Sequence, residues 1–168
     1  MTKRALVCPL AFVLVFGSSA GAMMVDIPLE ILTAKGDLII TGKVTAAAVP
    51  AQFERAIPDH HKPVKAWYTE YNVTVDRVIK TAEGVKVKKG DKIVVVSQSA
   101  PPRQPGLIMV DGPSYANLRK DAAYVLILHK LPGNEGYYLR PYFKCFRPDR
   151  KQDVDPIVKA AQVDKWAW

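Results

Sequence analysis

The sequence predicts a mainly β domain: five or six antiparallel strands in a small closed or partly open barrel, with short flanking helices. Three observations carry this. Residues 67–76 alternate strictly, with Trp67, Thr69, Tyr71, Val73 and Val75 on one face and Tyr68, Glu70, Asn72, Thr74 and Asp76 on the other. That is the period of a strand with one buried and one wet face. Ala122 to Leu131 is apolar on both faces, as a central strand is. Polar turns such as Lys89-Gly90-Asp91 and Pro132-Gly133-Asn134-Glu135-Gly136 separate the apolar runs, as in small antiparallel barrels.

The elements follow in order. Asp26 to Lys35 reads as a short helix, with Asp26 as cap, Pro28 in the first turn and Gly36 as terminator. A strand from Leu38 to Thr45 puts Leu38, Ile40, Gly42 and Val44 on one face, and Gly42 marks a bulge or sharp bend. Residues 48–66 hold Pro50, Pro58 and Pro63 and no clear period, so they read as a loop with at most a helical turn at Phe53–Ile57. Val78 and Ile79 interrupt the long alternating strand as a bulge does. Val85 to Lys88 alternates again and leads through a turn into a strand from Lys92 to Ser97. Ala100 to Pro113 contains four prolines and two glycines, which disfavour regular structure; within it Leu107–Val110 reads as a short strand or a loop packing back on the body. Tyr137 to Phe146 is the return strand after the Pro132–Gly136 turn, with Pro141 at an edge or bulge. Asp155 reads as the cap of a C-terminal helix with Pro156 at its first position, running to about Val163. Trp166 and Trp168 then pack or fray at its end.

A chain of 168 residues allows one ordinary domain. Its 49% hydrophobic and 24% charged residues exclude a disordered, a collagen-like and a multi-span membrane chain. The start has the three parts of a secretory signal peptide: Thr2-Lys3-Arg4, an apolar run from Ala5 to Phe16, and Ala20-Gly21-Ala22. Cleavage is expected between Ala22 and Met23, leaving residues 23–168 as a single domain in the periplasm or outside the cell. The apolar run falls short of the ~20 residues a spanning helix needs, and no later stretch is long and apolar enough to cross a membrane. Cys8 precedes the end of the apolar run, the wrong place for a lipid-modified cysteine. Removing residues 1–22 takes Lys3 and Arg4 and no acidic residue, leaving 22 basic against 16 acidic side chains, a net charge of +6. Cys145 is then the sole cysteine, so no internal disulfide can form and the core must suffice. Within Tyr142-Phe143-Lys144-Cys145-Phe146 it reads as a small buried hydrophobe.

The segment Leu29-Glu30-Ile31-Leu32-Thr33-Ala34-Lys35-Gly36-Asp37-Leu38-Ile39-Ile40-Thr41-Gly42-Lys43-Val44 resembles the opening of a broad set of exported bacterial domains, in which a short helix runs into a strand with a Gly-x-Val pattern. The resemblance continues at Tyr71–Lys80, at Lys89-Gly90-Asp91-Lys92-Ile93-Val94-Val95 and at Tyr124–Leu128, and covers about residues 28–148. It is to the oligonucleotide/oligosaccharide-binding (OB) barrel in its netrin-like form, shared with the tissue inhibitors of metalloproteinases. It implies an OB-like barrel. The inhibitors chelate zinc through an N-terminal cysteine; Met23 would stand there in this chain, so that mechanism does not carry over, and a fold does not transfer a function.

Candidate chemistry is sparse. His60-His61 is the most metal-like feature, but a zinc site needs three or four ligands, and the spacing forms no recognised motif. His129, on the central strand, reads as a satisfied, partly buried residue. There is no Gly-x-Ser-x-Gly elbow. Ser97, Ser99 and Ser114 have no local base, and Asp153 and Asp155 read as helix-start residues. The remaining signal is basic. Lys80, Lys86, Lys88, Lys89 and Lys92 gather around one hairpin, Arg147, Arg150 and Lys151 follow the last strand, and Lys62 and Lys65 precede the long one. With Tyr68, Tyr137, Tyr138 and Tyr142 this combination suits a polyanion. An exported chain rarely meets nucleic acid, so the expected partner is an anionic envelope polymer, a lipid head group or an acidic protein. The expected function is a noncatalytic binding or envelope-interaction module, without cofactor, with Lys86, Lys88, Lys89, Lys92, Arg147 and Arg150 as binding residues. The alternative is a metal-binding accessory protein or enzyme using His60 and His61.

Overall fold

The computed structural model of the chain describes residues 29–58, 60–102, 117–134, 136–140 and 146–162. The expected signal sequence and its Ala22–Met23 cleavage site, Asp26 and Pro28, Asp59, residues 103–116, Pro141, Tyr142, Cys145, Trp166 and Trp168 lie outside the described residues.

The architecture is mainly β. Helix α1 (Leu29–Lys35) leads into β1 (Leu38–Ala47), followed by β2 (Ala51–Arg55), β3 (Val64–Thr81), β4 (Lys92–Gln98), β5 (Ala123–Lys130), β6 (Tyr137–Leu139) and helix α2 (Lys151–Gln162). The Gly36 N–H donates to the Leu32 carbonyl at 3.0 Å and ends α1 as the sequence indicates. Five strands close a ring, β1–β5–β6–β4–β3–β1, and β2 is added to the N-terminal half of β3.

Every pairing is antiparallel except β4–β6, which is parallel. The all-antiparallel expectation fails by parity. Five strands in a closed ring cannot all alternate in direction, so one neighbouring pair must run the same way.

The inward faces form the main core: Leu38, Ile40 and Val44 of β1, Tyr71, Val73 and Val75 of β3, Ile93 and Val95 of β4, Tyr124, Leu126 and Leu128 of β5, with Leu118 and Leu139. The β1–β3 register shifts at Thr41/Gly42, the bend the sequence places at Gly42, and again opposite Ile79. A Cβ on Gly42 would lie 2.7 Å from Val73 Cγ1, so the glycine lets two strands approach closely.

Two outer layers complete the body. Helices α1 and α2 cover Ile39, Val125 and Ile127, with Ile157 buried among them. Strand β2 and the chain after it cover Tyr68, Val96, Leu131 and Tyr138, with Ile57 buried there. No helix among the described residues is long and apolar enough to cross a membrane.

Four local expectations are corrected. Residues 51–55, read as loop, are strand β2: Phe53 stacks on Tyr68 at 4.8 Å, and Arg55 pairs with Glu70 at 2.8 Å and sits over the Phe53 ring. Tyr68, placed on the wet face, is therefore buried, and its hydroxyl donates to the Val64 carbonyl. Val85–Lys88 is extended chain without strand pairing among the described residues; beyond β6, Phe146 forms a bridge with Val125. Helix α2 begins at Lys151, not Asp155, and holds Pro156 inside it. Proline removes a backbone donor there, but Val154, Ile157 and Ala161 pack on the barrel through this longer helix, and that burial outweighs the lost bond.

Candidate anion-binding loop

The segment Ala82–Asp91 joins β3 to β4 and closes one end of the barrel. It starts where β3 pairs only with β1, and the Ala82 N–H donates to the Asp37 carbonyl at 2.7 Å. It returns where Val75 and Gly90–Asp91 exchange backbone bonds of 2.7 and 2.9 Å. Gly84 and Gly90 adopt positive φ of 76° and 90°, which side-chain-bearing residues rarely do, and so permit the two turns.

Between those turns the chain alternates. Val85 and Val87 pack against the main core, while Lys86 and Lys88 point to solvent. Lys89 and Lys92 are exposed as well. Among the described residues none of these four lysines forms an ion pair. The nearest carboxylate in sequence, Asp91, accepts the Lys88 backbone N–H at 2.9 Å and so serves the turn. The outcome is a short, anchored segment that presents four exposed lysines without a side-chain ion pair among the described residues.

Tyr137 lies under this end of the barrel. Burial pushes its hydroxyl pKa above the ordinary value, and the carboxylates of Asp37 and Asp91 push it further the same way. It therefore stays a neutral phenol beside the loop.

The other sequence-derived candidates are placed elsewhere. Lys80 does not join these lysines: its ammonium donates to the carbonyls of Thr33 and Ala34 at 2.7 and 3.0 Å, capping α1. Arg147 and Arg150 are exposed on the turn into α2, just after Phe146, which bridges Val125 of β5. Tyr68 and Tyr138 are buried, so neither offers a stacking surface; burial raises the pKa of both, most for Tyr138.

His60 and His61 are exposed on the turn between β2 and β3. Among the described residues no three His, Cys, Asp or Glu side chains converge as metal ligands would. His129 is buried, and its Nε2 accepts a bond from Arg140 Nε at 3.1 Å. The role of Lys80 had no local signal, because its partners lie 46 and 47 residues away.

No protein-family model matches this chain, and a search of the curated proteins finds no match.

Proposed function

We propose that the protein is an exported, noncatalytic binding module whose β3–β4 loop docks on an anionic envelope polymer. The observation that carries this is the arc of Lys86, Lys88, Lys89 and Lys92, held out by Val85 and Val87 and without a carboxylate partner among the described residues. Clustered like charges cost stability unless an anion relieves them, and anchoring by two valines keeps the arc in shape before a ligand arrives, which lowers the ordering cost of binding. The basic-apolar-small start of the chain supports export. The ring order β1–β5–β6–β4–β3, with its single parallel pair, supports kinship with the OB-like barrels of netrin-like form.

The test is chromatography on a heparin-type polyanion matrix. Exposed charges interact over roughly 8 Å at physiological salt, so retention should fall steeply as salt rises. Changing Lys86, Lys88 and Lys89 together to Gln should abolish most retention while leaving the melting temperature nearly unchanged, because no core contact is touched. Retention indifferent to salt and to the triple change sinks the reading. Retention lost only when Arg147 and Arg150 are changed moves the site to the α2 entrance.

A further inference from the structure

The outer edge of β2 has no strand beside it among the described residues. β1 and β2 follow one another along the same flank of β3, with the Ala48 N–H donating to the Glu70 carbonyl at 2.8 Å between them. The other flank of β1 is covered. It pairs with β5 from Leu38 to Lys43, and then the Val44 N–H donates to the Ala122 carbonyl at 3.0 Å and the Asp121 N–H to the Val44 carbonyl at 2.8 Å. This cover does not continue alongside β2, whose one strand partner among the described residues is β3. Alternate residues of an antiparallel strand turn both N–H and C=O to the same flank, so part of Ala51–Arg55 directs its backbone groups outward.

Such an edge is a template for another strand, and proteins blunt it with lysine, proline or a bulge. β2 has none of the three: it reads Ala-Gln-Phe-Glu-Arg, and its register with β3 runs without a shift. Ala51, Gln52 and Glu54 are exposed. Arg55 is held by Glu70 at 2.8 Å, while Glu54 has no ion pair among the described residues.

We propose that β2 is a dimerisation strand, which pairs antiparallel with β2 of a second copy about a two-fold axis at Phe53. The residues select that register. Opposed residues in a pleated pair share a face, so a symmetric pair centres on Gln52, Phe53 or Glu54. Centring on Gln52 sets Glu54 against Pro50, which has no N–H to give. Centring on Glu54 sets two carboxylates against each other, which is destabilising. Centring on Phe53 uses all five residues of the strand. Gln52 then meets Glu54 of the partner subunit on both sides of the axis, an amide donor against a carboxylate, and Ala51 meets Arg55 of the partner subunit. The two Phe53 rings meet at the axis, which joins the Phe53–Tyr68 stacks of both copies into one aromatic row. A strand that satisfies its own reversed sequence identifies a second copy as the occupant. Five residues a side make a small interface, in the range of transient ones, so the dimer depends on concentration. β2 lies on the N-terminal end of β3 and the lysine loop follows its C-terminal end, so the dimer keeps both lysine loops open.

Sedimentation velocity over a wide range of concentration tests this. All variants are compared in the same form of the chain, so that any N-terminal contribution is shared. The protein should pass from monomer to dimer as concentration rises, with hydrogen exchange slowing within residues 51–55. Gln52→Glu sets like charges opposite each other at both symmetric positions and should weaken the dimer about tenfold, and Gln52→Lys should strengthen it by a similar factor. Gln52→Glu with Glu54→Lys restores opposite charges across the axis and should recover the dimer. Melting temperatures of the dilute monomers should stay nearly unchanged, because both side chains are exposed. Monomers at every concentration overturn the inference and leave the edge to a strand of another protein. Self-association that Gln52→Glu leaves untouched, or that the double change does not restore, overturns it as well.

Discussion

The close approach of β1 and β3 at Gly42 supports a double-mutant cycle whose outcome depends on one contact. Gly42 has no positive φ, so its backbone suits any residue and the only objection to a side chain is space. In Gly42→Ala the new Cβ would lie 2.7 Å from Val73 Cγ1 and 3.0 Å from the Thr74 carbonyl oxygen. Restricting the unfolded chain returns about 0.5–1 kcal/mol, while overpacking costs about 1–3 kcal/mol. Overpacking wins, because the nearer atom belongs to a side chain with no exposed surface and a strand on either side. A net loss of about 1–2 kcal/mol follows. Val73→Ala removes two methyl groups and leaves a cavity, a loss of about 2–3 kcal/mol.

In the double variant the added methyl occupies part of the vacated space. The combined loss should then be about 1–2 kcal/mol smaller than the two single losses together. Relief is partial, because the Thr74 carbonyl stays where it was. Equilibrium urea unfolding with a constant denaturant slope measures all three values. Strict additivity would refute the claim that Gly42 is required by Val73.

Three tyrosines set an alkaline limit. Tyr68, Tyr137 and Tyr138 all have pKa values raised from the ordinary 10.0, chiefly by burial. The folded chain therefore keeps protons that the unfolded chain releases, so their contribution is complete below pH 10 and is lost as pH rises above it. Urea midpoints should be flat from neutrality to about pH 9 and fall beyond 10, and Tyr138→Phe should blunt the fall; a drop centred below pH 9 contradicts this. Lys80→Met should cost about 1–2 kcal/mol through the lost bonds to Thr33 and Ala34, with faster hydrogen exchange confined to α1; unchanged exchange in α1 would remove Lys80 as its cap.

The strands legible in the sequence are those whose burial leaves a local period. β3 alternates because one face meets the barrel interior, and β5 is apolar from Ala123 to Leu128 because helices cover its back. β2 is illegible for the opposite reason. Ala51–Arg55 carries no period of its own and exists because the 18-residue β3 extends past β1 and offers a free edge. Tyr68 was misplaced by the same omission, since only β2 and Ile57 make its outward face a buried one. The start of α2 was hidden by Pro156, a local breaker outweighed by distant packing partners. In the candidate site, the inward valines and outward lysines were readable because extended chain alternates whether or not it is paired. The displacement of Lys80 from that arc depends on long-range topology.

The seam between β1 and β5 joins Leu38 to Leu128, about 90 residues apart. A chain made or threaded from its N-terminus can zip β1 to β3 early, but one flank of β1 then waits, unpaired, until nearly the whole domain has emerged. Exposed strand flanks invite pairing with other chains, and contacts this distant form slowly. The domain is thus all-or-none with respect to length: a product ending before Ala123 holds an open, sticky half-barrel, and only one that reaches Leu139 supplies both β5, which covers β1, and β6, which joins β5 to β4.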